Sequence, residues 1–205
     1  MSTRLILVRH GQTDAAVEGR TQGRIDNPLN ETGRGQAEAV AARLLEYAPH
    51  AIYSSPAARA LATAEPLARA LDLRVAREPR LLEMDYGSLD DRTSAQMRER
   101  EPEFMERWSS GDPADLRIPG GETLREVQAR VVAAATEVVA AHPDQTVVLC
   151  SHNFALRMLV CHALGLPFEA FRRLRVDLAS YSVLESREDG GFLVVLLNEV
   201  CHLEG

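Results

Sequence analysis

The sequence predicts an α/β fold: a three-layer sandwich with a mostly parallel sheet flanked by helices, and a small cap over the C-terminal strand ends. Three observations predict it. Short apolar runs of strand length alternate with longer segments whose apolar residues recur at helical spacing. No repeat, linker or low-complexity stretch interrupts the alternation, so residues 1–205 read as a single domain. One stretch, Leu81 to Pro119, breaks the rhythm with irregular polar sequence; it is placed as the cap, at about 84–120.

The elements follow in order. Arg4 to Arg9, continuously apolar from Leu5 to Val8, reads as a buried strand, and the polar run Gly11 to Glu31 reads as a long loop of the kind that carries function. From Thr32 to near Tyr47, Ala37, Val40, Ala41, Leu44 and Leu45 share one helical face, and Pro49 ends it. Ala51 to Ser54 is a short strand. Pro56, in a first-turn position, is expected to open an Ala-rich helix to about Leu71, followed by a strand at Leu73 to Ala76. The cap holds short helical pieces at Arg92 to Arg100 and Glu103 to Trp108, and closes at Gly120-Gly121. Thr123 to Ala141 is helical, Thr146 to Cys150 is a buried strand, and Asn153 to Leu164 is helical up to Gly165. Leu178 to Leu184 and Phe192 to Leu197 are strands joined through the turn Asp189-Gly190-Gly191.

Composition narrows the function. With 205 residues, 45% apolar and 26% charged, the chain can bury one substantial core. Leu5 to Val8 is too short for a signal core, and no later stretch approaches the ~18 apolar residues of a membrane span, so a cytoplasmic protein without a membrane partner is expected. Cys150, Cys161 and Cys201 have no CxxC spacing and are expected to be reduced, packed thiols rather than disulfide or zinc ligands. A net charge of −7 argues against nucleic-acid binding, so any phosphate must meet a local basic pocket. All 23 basic residues are Arg, which leaves Arg forks, His and backbone N–H groups as phosphate contacts and excludes a lysine Schiff base.

In an open α/β sheet, ligands sit beyond the C-terminal strand ends. Three such ends deliver Arg9-His10-Gly11-Gln12-Thr13, Ser54-Ser55-Pro56 with Arg59, and Ser151-His152. Arg9 and Arg59 suit the neutralisation of a phosphoryl group, and His10 suits in-line attack on phosphorus. His152 can donate to the transferring oxygens. Glu83, in the irregular segment, is the candidate acid/base that protonates a leaving oxygen and later deprotonates water. The bland readings are an exposed or packed role for His50, His142, His162 and His202, and a solvated helix end for Arg172, Arg173 and Arg175. Cys161-His162 and Cys201-His202 are adjacent pairs that point apart, so no metal site is expected.

These residues resemble the histidine phosphatase (phosphoglycerate mutase-like) superfamily, phosphatase branch. Arg9 to Thr13, Asn27 to Ala37, Ser54 to Ala64, Leu82 to Gly87, Pro119 to Thr123 and Ser151-His152 match its blocks in order, from Leu5 to about Arg157. The resemblance implies catalytic roles for His10, Glu83, Arg9, Arg59 and His152, and substrate contacts at Thr13, Gln22, Gly23 and Asn153. It implies a metal-independent phosphatase acting on small phosphorylated metabolites through a phosphohistidine, with no cofactor and with room for a homodimer. A phosphoglycerate mutase and a silent phospho-ligand binding module are the alternatives. Two positions depart from the pattern. Ala16 stands where the family has an Asn that bonds the phosphate, and Asn153-Phe154 follows His152 where the family has Gly; Asn can supply the positive φ of that glycine.

Overall fold

The computed structural model describes residues 2–204. Its strands β1 (Arg4–Arg9), β2 (Ala51–Ser54), β3 (Val75–Arg77), β4 (Thr146–Ser151), β5 (Tyr181–Ser186) and β6 (Phe192–Glu199) form a six-stranded sheet in the order β3-β2-β4-β1-β5-β6. The first four run parallel, whereas β5 is antiparallel to β1 and β6 to β5. The sheet is therefore mostly parallel. The outermost pair, β5 and β6, is antiparallel because the tight Asp189–Gly191 turn between them is too short for the crossover that parallel strands need.

The helices are α1 (Asp14–Val17), α2 (Glu31–Leu44), α3 (Ala58–Leu71), α4 (Ser94–Arg100), α5 (Pro102–Ser110), α6 (Leu124–Ala141) and α7 (Asn153–Ala163). The strand pleat divides the core between the two faces of the sheet. Ile6 and Val8 of β1 join Val148 and Cys150 of β4 against α2 and α3, where Val40, Leu44, Ala64 and Leu67 complete one cluster. Leu5, Leu7, Val147 and Leu149 point the other way, onto Val127, Val131 and Ala135 of α6 and Met158 and Leu159 of α7. Helices on both faces bury every position of β4, which is why the central strands read as unbroken apolar runs. Each buried Leu or Val in this sandwich contributes about 1.5–3 kcal/mol.

Local capping shifts several boundaries. The Gly11–Glu31 loop contains α1, because Thr13 Oγ1 accepts from Ala16 N at 3.1 Å and caps a helical turn. Asn30 Oδ1 accepts from Gly33 N at 2.9 Å, so α2 begins at Glu31. Pro56 does not open α3: Ala57 N donates to Ser55 Oγ at 3.3 Å, closing a turn before the helix starts at Ala58. The third strand lies slightly later than expected, at Val75–Arg77. Cys150 and Cys161 are buried as expected, but Cys201 is exposed in a 3-10 turn outside the sheet. No helix among the described residues is long and apolar enough to cross a membrane.

Candidate active site

Sheet register assembles the site. Arg9 pairs with Ser151 and Ser54 with Cys150, so the next residues, His10, His152 and Ser55, leave the sheet at one level. The ladders run one step further, with His10 N donating to Ser151 O at 3.0 Å and Ser55 N to Cys150 O at 2.9 Å. The His10 and His152 rings therefore meet, centroids 5.2 Å apart and planes tilted by 58°. Gly11 lets the chain turn against α2: a Cβ there would lie 2.7 Å from Gly33 O.

His10 is 3% exposed and its Nδ1 lies 2.8 Å from Gly11 O. A carbonyl oxygen only accepts, so Nδ1 carries the proton and Nε2 keeps a free lone pair. Burial, with Arg9 and Arg59 nearby, pushes the His10 pKa well below its ordinary value, and the imidazole is neutral at pH 7. His152 is fully buried, and burial with the charge of Arg59 lowers its pKa as well. Its Nε2 meets Ser55 Oγ at 2.7 Å, while Nδ1 is buried without a partner.

Arg9 and Arg59, beside these rings, are held by carbonyl oxygens rather than by carboxylates. Arg9 Nη1 donates to Val176 O at 2.6 Å, and burial lowers its pKa to about 10, which leaves it charged at pH 7. Arg59, 0% exposed on the first turn of α3, donates to Gln22 O at 2.7 Å, Gly23 O at 3.3 Å and Ile25 O at 3.0 Å. Arg157, one turn into α7, lies over the Phe154 ring at 5.9 Å. The Nε of all three is buried without a partner. Every ion pair among the described residues involves other arginines. Unpaired desolvated guanidinium groups are costly to keep, and an incoming anion relieves that cost.

Glu83, 5% exposed, is the carboxylate whose charge most favours the charged forms of Arg9, Arg59 and Arg157. It caps α7: Oε1 accepts from Met84 N at 2.8 Å, Phe154 N at 3.0 Å and Ala155 N at 3.3 Å. Its Oε2 accepts only from Phe154 N, at 3.2 Å, and retains lone-pair capacity. The same contacts settle the departure after His152. Asn153 does not take a positive φ, because the capped amides that follow make it the first helical residue. Its Oδ1 is buried and unpartnered, and the Phe154 ring packs on Phe171, Trp108 and Tyr86.

Thr13 Oγ1 donates to Gln22 Oε1 at 2.7 Å, which turns the Gln22 NH2 away from protein partners. Gly23 acts as a tether, with its N–H donating to Asp90 Oδ1 at 2.7 Å, its carbonyl on Arg59 and its Cα too close to Met84 O, 2.8 Å from a notional Cβ, for any side chain. Ala16 borders a polar cavity of about 550 Å³ with Arg9, Gln22, Gln36 and Asp177. Structure thus brings together all five residues expected to be catalytic. It adds Ser55, which orients His152; Thr63, whose hydroxyl accepts from Gly11 N at 3.0 Å; and Arg157. Arg157 was detectable, since it follows Asn153 at the i+4 spacing of one helical face. His142 and His202 are packed, with bonds to Tyr53 and Ala179, and His50 and His162 are exposed.

The whole chain has known relatives. The chain belongs to the histidine phosphatase superfamily (branch 1), which matches residues 5–199. Phosphoserine phosphatase 1 of Hydrogenobacter thermophilus is 37% identical over 200 residues, covering 98% of this chain and 94% of that protein. A probable phosphoglycerate mutase GpmB of Cronobacter sakazakii is 37% identical over 202 residues, covering 97% and 94%. Among solved structures, a mycobacterial glucosyl-3-phosphoglycerate phosphatase in complex with VO3 superposes with a TM-score of 0.87 at 33% identity, covering 96% of this chain and 99% of that one.

Proposed function

We propose that this protein is a metal-independent phosphatase that hydrolyses small phosphate monoesters through a phosphohistidine at His10. One observation carries the reading: a neutral, buried imidazole with a free Nε2, beside the Arg9 and Arg59 guanidinium groups, which hydrogen-bond carbonyl oxygens and no carboxylate. His10 Nε2 attacks phosphorus in line, the bond from phosphorus to the ester oxygen breaks, and Glu83 gives the leaving oxygen its proton. Water then attacks phospho-His10, Glu83 takes the proton from that water, and phosphate leaves with His10 restored. Arg9 and Arg59 stabilise the charge that builds on the equatorial oxygens. The Ser55 hydroxyl donates to His152 Nε2, which places a proton on His152 Nδ1 for a further bond to the same oxygens. The Gln22 NH2, fixed by Thr13, stands in for the donor absent at Ala16, and Asn153 completes the contacts.

Arg157 gives the leaving group a character. The phosphoryl charge balances Arg9 and Arg59, and a third unpaired guanidinium suits a carboxylate on the leaving group. That chemistry agrees with the phosphoserine named for the Hydrogenobacter relative. The mutase named for the Cronobacter relative is the second reading. A mutase must hold an anionic intermediate under its lid, whereas here Arg98, Arg100 and Arg107 of α4 and α5 are exposed. The inner side of those helices presents Met97, Phe104 and Trp108 to an apolar cavity of about 220 Å³ bounded by Tyr86 and Phe154. Residues 1–205 then work as one domain with a cap at about 84–120, in the cytoplasm, on a small metabolite, with a homodimer compatible with the reading. The test compares phosphate release from phosphoserine, in EDTA, with isomerisation of 3-phosphoglycerate. Release is expected to exceed isomerisation by roughly 100-fold or more, because a cap whose Arg98, Arg100 and Arg107 are exposed does not hold an anionic intermediate in place for retransfer; isomerisation in excess would install the mutase, and silence with both would favour the binding module.

A further inference from the structure

We infer that Arg130 and Glu122, which together grip the backbone of the segment carrying Glu83, form a positioning pair for the acid/base step; this rests on the phosphatase reading above. The block Pro119 to Thr123 contributes nothing that touches the histidines or the phosphate arginines, yet it packs closely against residues 85–87. Gly121 lies so near that a Cβ would fall 2.2 Å from Asp85 O, and Gly87, at φ +48°, would place a Cβ 2.3 Å from Pro119 O. Glu122 N donates to Asp85 O at 3.0 Å, and Glu122 Oε2 accepts from Asp85 N at 2.8 Å. The block is therefore a bed for the Glu83 segment.

Arg130 completes the grip from α6. Its Nη1 donates to Arg80 O at 2.7 Å and Leu82 O at 2.6 Å, and its Nη2 to Glu83 O at 3.0 Å. Ser151 Oγ takes the intervening Leu81 O at 2.6 Å, so four successive carbonyls are tied to groups on α6 and β4. Glu122 orients the guanidinium through bonds of 2.8 Å to Nε and 3.0 Å to Nη2. Their side chains are only 17% and 19% exposed, which protects the pair from competing water. The segment has no regular secondary structure from Leu82 to Tyr86, so its own ladder cannot fix it. A planar fork that spans three carbonyls and a carboxylate supplies what the missing ladder does not, and a lysine cannot reproduce that geometry.

A group that acts through Glu83 must affect the step that Glu83 performs. Proton donation limits esters with a poor leaving group, such as an alkyl phosphate, and matters little for p-nitrophenyl phosphate. Arg130→Lys and Glu122→Gln keep most of the packing, and each is to be assayed with both substrates beside Glu83→Gln and the Glu83→Gln/Arg130→Lys double variant. Either single variant is expected to lower kcat for the alkyl phosphate roughly 10- to 100-fold, with KM nearly unchanged and a loss of no more than about 3-fold for the nitrophenyl ester. In the Glu83→Gln background Arg130→Lys should add less than about 3-fold, because both changes remove the same function. Equal losses with the two substrates, or a full multiplicative loss in the double variant, would overturn the positioning role and leave a purely structural one. Should Arg130→Lys fail to fold, Glu122→Gln decides by the same split. Wild-type protein inert towards both esters would instead sink the phosphatase reading, and this proposal with it.

Discussion

His10→Ala is expected to lower kcat by about 10⁴-fold or more, the scale seen when a covalent nucleophile is removed. No other group replaces it. His152 is the nearest imidazole, but its Nε2 is engaged with Ser55 and its ring is displaced by 5.2 Å. Fold should survive, because the lost side chain makes one protein hydrogen bond, to Gly11 O, and the surrounding strands are fixed by their ladders. Steady-state phosphate release and circular dichroism of the same preparation read the two parts. A variant that retains a tenth of wild-type kcat would remove His10 from the mechanism.

Arg59→Ala is expected to cost about 10³-fold in kcat/KM, divided between a higher KM and a lower kcat. Two losses combine in this one change. The phosphoryl group loses a guanidinium contact before and during transfer, and the loop at Gln22, Gly23 and Ile25 loses the group that organises its carbonyls. Leaving two buried acceptors, Gln22 O and Gly23 O, unsatisfied should also lower the melting temperature. Arg59→Lys should recover little, since a single ammonium cannot hold three carbonyls and still face the substrate. Wild-type kinetics in Arg59→Ala would show that the first turn of α3 does not serve the crevice.

The sequence made the scaffold legible because burial on both faces leaves a signal that survives without coordinates. Leu5 to Val8 and Val147 to Cys150 are apolar at every step, and such runs have few other interpretations once helices alternate with them. His10, Arg9, Arg59 and His152 were readable for a related reason: Arg9 ends β1 and the others stand one to five residues past strand ends, where the fold itself dictates a shared destination. Side chains that act on backbone were not readable. Arg130 lies on a helix between Ala129 and Val131, and nothing in its neighbours announces three distant carbonyls. Boundaries set by capping shared that fate, as at Thr13, Asn30 and Ser55, because a hydroxyl or amide in a polar loop has several local partners to choose from. Asn153 shows the limit most plainly: its conformation is decided by Glu83, seventy residues away in sequence, through the amides of Phe154 and Ala155.

The central claim is a phosphorylated His10 that water rapidly clears. Rapid-quench trapping with a ³²P-labelled aryl phosphate measures it directly, by following acid-labile, alkali-stable label on the protein through a single turnover. Label should appear on His10 and decay at the rate of phosphate release, and it should be absent from His10→Ala. Release of phosphate without any labelled protein, label on another residue, or a phosphoenzyme that persists for many minutes while 3-phosphoglycerate is isomerised would contradict it.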